Sequence, residues 1–238
     1  MALPRLRTDR RPATRLAAAL ALLALAACGG DSPTTPLERA PGYDPHGAAI
    51  DESGAQRRFL YHWPVGTVIR VFVDPAAAPA GSDLRAAVLA AASGWAGTLR
   101  GHEAAITLVA DPAQADVVVH YGEAARIVGT ADCAPPAPEV GVTFACPDFA
   151  AGRFAVLPLL AGGPGHVKMD VAVYRGLATD ESQFRRVVAH EIGHVLGIGS
   201  HSASATDLMH AAPAVAVPSA ADGQTLRWLL QQDADIEP

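Results

Sequence analysis

Residues 190–201 read HEIGHVLGIGSH. Histidines four apart on a helix lie about 40° apart around the axis and one turn apart along it. His190 and His194 therefore face one side, close enough to share a metal ion. Glu191 is turned about 100° from His190, which sets its carboxylate beside such an ion rather than on it. The helix also needs an apolar side. Phe184, Val187, Val188, Ile192, Val195 and Leu196 recur at helical spacing, so the expected helix runs from about Glu181 to Leu196. Asp180 with Gln183 resembles a capping box ahead of it. Gly197 can take the left-handed conformation that ends a helix and turns the chain. That turn can bring His201 back toward the metal.

The chemistry of this donor set points to zinc. Neutral imidazoles bind zinc at about 2.0–2.1 Å, and three protein ligands leave one position open for water, as in catalytic sites. A glutamate beside the ion can take a proton from that water, whose pKa the metal lowers toward about 7. Asp207 and His210 stand as alternatives to His201 for the third place. His46, His62, His102, His120 and His166 pair with no other histidine at ligand spacing and are expected to be solvated or hydrogen-bonded. Asp148, Asp170 and Asp180 could bind Ca2+, although no calcium-loop pattern is evident; solvated or capping roles are expected for them.

Outward from the motif, the chain alternates. Val68–Val73 reads as a strand stopped by Asp74-Pro75. Ser82 or Asp83 can cap an alanine-rich helix to about Leu99. Ile106–Val109, Asp116–Tyr121, Val140–Phe144, Arg153–Leu160 and Val167–Tyr174 are further strand candidates. Pro213 and Pro218 punctuate a loop, and Asp222–Gln231 reads as a final helix. Strand, helix, several strands and helix indicate an α+β fold with a mixed, twisted sheet. Apolar residues make up 50% of the 238 positions and aromatics only 5%, so the core is expected to rest on small aliphatic side chains.

The N-terminus has a different character. Arg5, Arg7, Arg10, Arg11 and Arg15 precede an apolar run from Leu16 to Ala27, which is too short to span a bilayer as a stable helix. Leu25-Ala26-Ala27-Cys28 resembles a bacterial lipobox, so residues 1–27 are expected to be a lipoprotein signal peptide and Cys28 the lipidated residue. Residues 28–62, with several prolines and few large apolar side chains, are expected to be a flexible tether. The folded domain is then expected over residues 63–238. Without residues 1–27 the chain holds 18 − 5 = 13 basic and 24 − 1 = 23 acidic residues, a formal charge of −10. That balance disfavours nucleic acid as a partner. Cys133 and Cys146 remain, and export to an oxidising compartment favours a disulfide between them. Closing that loop would contribute roughly 3 kcal/mol.

His190, Glu191, His194 and Gly197 match the metzincin pattern H-E-x-x-H-x-x-G-x-x-H. The third histidine departs from it: Ser200 occupies the expected place and His201 comes one residue later. Bacterial matrixin-like proteins resemble this longer spacing and continue into His-Ser and Asp-x-Met, as His201-Ser202 and Asp207-Leu208-Met209 do here. The chain thus resembles the matrixin-like metzincins, specifically over 190–209 and in architecture over about 63–232. The resemblance implies a zinc metalloendopeptidase with an active-site helix, a C-terminal helix and a Met-turn at Met209. It implies one catalytic zinc on His190, His194 and His201, with Glu191 as general base. A protein or peptide substrate would lie extended along an exposed sheet edge, for which Arg153–Leu160 is the expected strand. The whole would be a monomer, exported and lipid-anchored to the cell envelope. A zinc-binding surface lipoprotein without catalysis is the alternative from another functional class.

Overall fold

A computed structural model describes residues 37–51, 53–75, 79–101, 103–122, 133, 140–158, 166–174 and 178–238. Cys28 and the expected signal segment 1–27 lie outside the described residues, as does His102. In chain order the elements are β1 (Gly47–Ile50), β2 (Gln56–Phe59), β3 (Thr67–Val73), α1 (Leu84–Ala96), β4 (Ala104–Val109), β5 (Val117–Gly122) and β6 (Gly141–Phe144). They continue as β7 (Pro147–Asp148), β8 (Arg153–Phe154), β9 (Leu157–Pro158), β10 (His166–Val167), β11 (Met169–Tyr174), α2 (Glu181–Leu196) and α3 (Ala220–Leu229). Among the described residues, no helix is long and apolar enough to cross a membrane.

Five strands form one mixed sheet in the order β4-β3-β5-β11-β6. The first four are parallel, and β6 joins β11 antiparallel at the edge, with Thr143 opposite Val171. The interior strands β5 and β11 are almost wholly buried, as the valine run Val117-Val118-Val119 anticipates for a parallel strand covered on both faces. Alternation splits their side chains between two cores. Val117, Val119, Tyr121, Met169, Val171 and Val173 meet the helices, where Trp95, Phe184, Val188 and Ile192 pack. Val118, Phe144, Cys146, Leu157 and Val167 fill the opposite face. The architecture is α+β, as the element order suggests.

The two long helices are set by their ends as much as by their faces. Asp83 caps α1 through its bond from the Ala86 amide, and Asp180 caps α2 through its bond from the Gln183 amide at 2.8 Å. On α2 the apolar stripe from Phe184 to Leu196 is buried. Each such side chain contributes about 2 kcal/mol of transfer free energy. This stripe is what holds the opposite, histidine-bearing side of α2 in place.

Four expectations are corrected by the packing. First, the compact unit runs from Leu37 to Pro238, so residues 37–62 belong to the fold and are no free tether. Tyr43, Phe59 and Tyr61 are buried, and β1 pairs with β2 as a hairpin. Second, Arg153–Leu160 is not one strand: β8 and β9 are two-residue strands, separated at Ala155-Val156, that pair with β7 and β10. The edge of the main sheet beside α2 is β6 instead. Third, α1 ends at Ala96, three residues before Leu99, where the Gly97 amide bonds back to the Ser93 carbonyl. Fourth, Asp170 is neither solvated nor a cap. Its carboxylate is fully buried on β11, with Oδ1 2.9 Å from His120 Nε2 on β5. Cys133 and Cys146 are joined as a disulfide with Cα atoms 5.7 Å apart.

Candidate metal centre

His190, His194 and His201 come together, and one ligand nitrogen from each lies within 4.8 Å of the others. The two helical Nε2 atoms are 3.1 Å apart. Two nitrogens bound tetrahedrally to one ion at about 2.05 Å each would be roughly 3.3 Å apart, so the pair already has the spacing of ligands to one metal. The third ring stands 5.2 Å from that of His190 and 5.3 Å from that of His194, centroid to centroid.

The tautomers are set from behind. His190 Nδ1 donates to the Leu208 carbonyl at 2.8 Å, and His194 Nδ1 donates to the Ile198 carbonyl at 2.5 Å. Each bond leaves the Nε2 lone pair facing the common point, which is how ligating imidazoles are oriented. Burial, and to a lesser degree the neighbouring His201, pushes the His190 imidazole down to about 4 despite the Leu208 bond. Burial and then the other two imidazoles hold His194 well below its ordinary value. Both rings are therefore neutral near pH 7, the form that binds metal.

Gly197 ends α2 with φ 127°, and its amide bonds back to the His194 carbonyl at 3.0 Å. A Cβ there would also meet the Tyr61 carbonyl oxygen at 2.6 Å, so glycine is required twice over. The turn places Ile198, buried, beneath the site, and Gly199, Ser200 and His201 at its rim. The loop is held by a clasp from the N-terminal segment. The Gly199 amide donates to the Pro45 carbonyl at 2.8 Å, and Tyr43 forms an antiparallel bridge with Ser202. At Gly199 a Cβ would strike the backbone of Gly47.

The floor is a second hydrogen-bonded layer. Ser202 donates its amide to the Met209 carbonyl at 2.8 Å, closing the loop that carries Leu208 and Met209. Asp222, fully buried on α3, accepts from the Leu208 amide at 2.8 Å, the Met209 amide at 3.3 Å and the Tyr43 hydroxyl at 2.5 Å. Asp207 is engaged by the Ser202 and Ser219 hydroxyls at 2.5 and 2.7 Å. It is buried there and does not belong to the metal-facing group, and neither does His210. Of the three candidates for the third place, only His201 stands in the group of three nitrogens. The last carbonyls of α2 are satisfied by aromatic donors: Tyr61 Oη bonds His194 O at 2.6 Å and Trp63 Nε1 bonds Val195 O at 2.7 Å.

Met209 is fully buried, directly under Gly193. A Cβ on Gly193 would run into the Met209 sulfur and the Trp95 ring. Alanine is favoured over glycine in a helix by about 1 kcal/mol, but overpacking a rigid core costs on the order of 1–3 kcal/mol. Gly193→Ala is therefore expected to lower Tm by several degrees. A Tm equal to or above that of the parent would show that Met209 and Trp95 yield freely.

Above the floor lies a cleft of about 750 Å³, lined among others by Val140, Gly141, Val142, Thr143, Glu191, the three histidines, Ala211 and Pro213. Glu191 opens into it yet is only 4% exposed. Burial, and then the nearby Glu191 carboxylate, pushes the Tyr61 phenol up. The wall made by Val140–Thr143 is edge strand β6 and its approach, so this edge of the sheet runs alongside the histidines.

Sequence reasoning did not single out Thr143, Tyr43, Tyr61 or Asp222 as parts of the site. For Asp222 a signal existed: Ser219 and Asp222 form a capping box at the start of α3. The other three carry no local signal. Compared with known proteins, the chain matches no family model, and no curated protein is significantly similar to it.

Proposed function

We propose that this chain is a zinc-dependent endopeptidase of matrixin-like metzincin type. The observation that carries the reading is the convergence of three imidazoles and one buried glutamate at the base of a cleft flanked by a sheet edge. His190, His194 and His201 would hold the zinc ion. When bound, the ion supplies Lewis acidity and lowers the pKa of a coordinated water toward about 7. Glu191 removes a proton from the attacking water and returns it to the departing amine. β6 receives the substrate as an added antiparallel or parallel strand, with main-chain hydrogen bonds holding it extended over the histidines. Gly197 and Met209 shape the site without touching substrate. No calcium role is assigned.

The N-terminal reading belongs to the same proposal. Residues 1–27 would direct export, and Cys28 would carry the lipid that holds the protein at the cell envelope. An acidic, lipid-held monomer that acts on polypeptide fits the charge and the cleft alike.

The test is a panel of unfolded proteins and peptidoglycan peptides, incubated with the protein with and without a chelator. Chelator-sensitive cleavage of the unfolded proteins, restored by added zinc, is expected. Zinc binding without turnover of any member would establish a binding module instead. Turnover of the wall peptides alone would move the substrate class.

A further inference from the structure

The edge strand does more than border the cleft. Thr143 Oγ1 donates to Glu191 Oε2 at 2.7 Å and lies 3.1 Å from the Glu191 carbonyl oxygen. Gly141, two residues earlier and so on the same face of β6, leaves space for the other half of the carboxylate. A Cβ at Gly141 would sit 2.7 Å from Glu191 Oε1 and collide with Val187. The carboxylate thus occupies a notch in β6 made by one missing side chain and one hydroxyl. It turns toward the strand, outside the group of three nitrogens that face the metal position.

We propose that Thr143 is a positioning residue for the base Glu191, and that it keeps the carboxylate beside the metal position rather than on it. A glutamate next to a metal site can turn and become a ligand, which would consume the open position. The Thr143 hydroxyl holds Oε2 to the strand, and with it the whole carboxylate. β6 is also the strand on which substrate would be registered. One strand therefore sets both the peptide and the base, and their separation is built into a single rigid element.

This inference rests on the reading of Glu191 as general base. The experiment uses the full chain loaded with zinc, as Thr143→Val and Thr143→Ser. Valine keeps the β-branched shape and removes the donor; serine keeps the donor. Loss of a partner that orients a group in the site typically costs about 10- to 100-fold in activity. T143V is expected to lose that much kcat, with KM and zinc affinity within about twofold, while T143S recovers most of the rate. Wild-type kcat in T143V, or an equal loss in T143S, would overturn the role. A second readout needs no activity: crystal structures of the zinc-loaded proteins. The Glu191 carboxylate should meet Thr143 in the parent and turn away in T143V. An unchanged Glu191 rotamer in T143V would sink the proposal by itself. A parent that binds zinc but cleaves nothing would instead overturn the peptidase reading, with the rotamer comparison still deciding the role of Thr143.

Discussion

Glu191→Gln is expected to remove about 10²–10⁴-fold of kcat, the usual contribution of a positioned general base, while zinc remains bound at full stoichiometry. The side chain is almost completely buried and faces the cleft, so the change replaces a carboxylate with an isostere in a closed notch. The substituted amide can still accept the Thr143 hydroxyl bond through its oxygen, so the fold around it has no reason to move. It cannot take a proton from water at neutral pH. Zinc content measured beside initial rates separates loss of chemistry from loss of metal. A zinc-replete E191Q protein that cleaves at the parental rate would end the assignment of Glu191 as base.

The second large effect concerns His201, the proposed third ligand. Zinc sites bind with about 10–16 kcal/mol spread over four ligands, so one ligand is worth roughly 3 kcal/mol, a factor on the order of 10² in affinity. His201→Ala is expected to lose that factor in competition with a chromophoric chelator. His210→Ala provides the comparison, because its Nδ1 is engaged by Ala212 away from the group of three nitrogens. It should bind zinc within about twofold of the parent. Equal losses in the two variants, or none in H201A, would reassign the third ligand.

What the sequence reveals follows the range of the interactions. Helix α2 is legible to the residue because everything that defines it is local: the Asp180 cap, the stripe from Phe184 to Leu196, and Gly197. The histidine spacing is local too, and so is the turn that returns His201. The N-terminal segment is not. Its few aromatic residues form no periodic pattern, and their partners are far along the chain. Tyr61 bonds to a residue 133 positions away, and Tyr43 to one 179 positions away. Composition alone therefore makes 37–62 look like a tether. The edge strand is obscured for a related reason. Arg153–Leu160 is apolar enough for a strand, yet it breaks at Ala155-Val156 and pairs with two short segments. The shorter run Gly141–Phe144 wins the sheet edge by pairing with β11. Thr143 matters only through what stands opposite it in space, and Asp222 mainly so, its local signal being the capping box with Ser219. His120 and Asp170 form a buried pair because β5 and β11 are neighbours in the sheet, although 50 positions separate them in the chain.

The clasp between residues 43–47 and the loop 199–202 also gives the domain a load path. Strain entering the domain at Leu37 meets the Tyr43–Ser202 bridge and the Pro45–Gly199 bond before it meets the sheet. The stretch that leads upstream is thus also the fastening of His201.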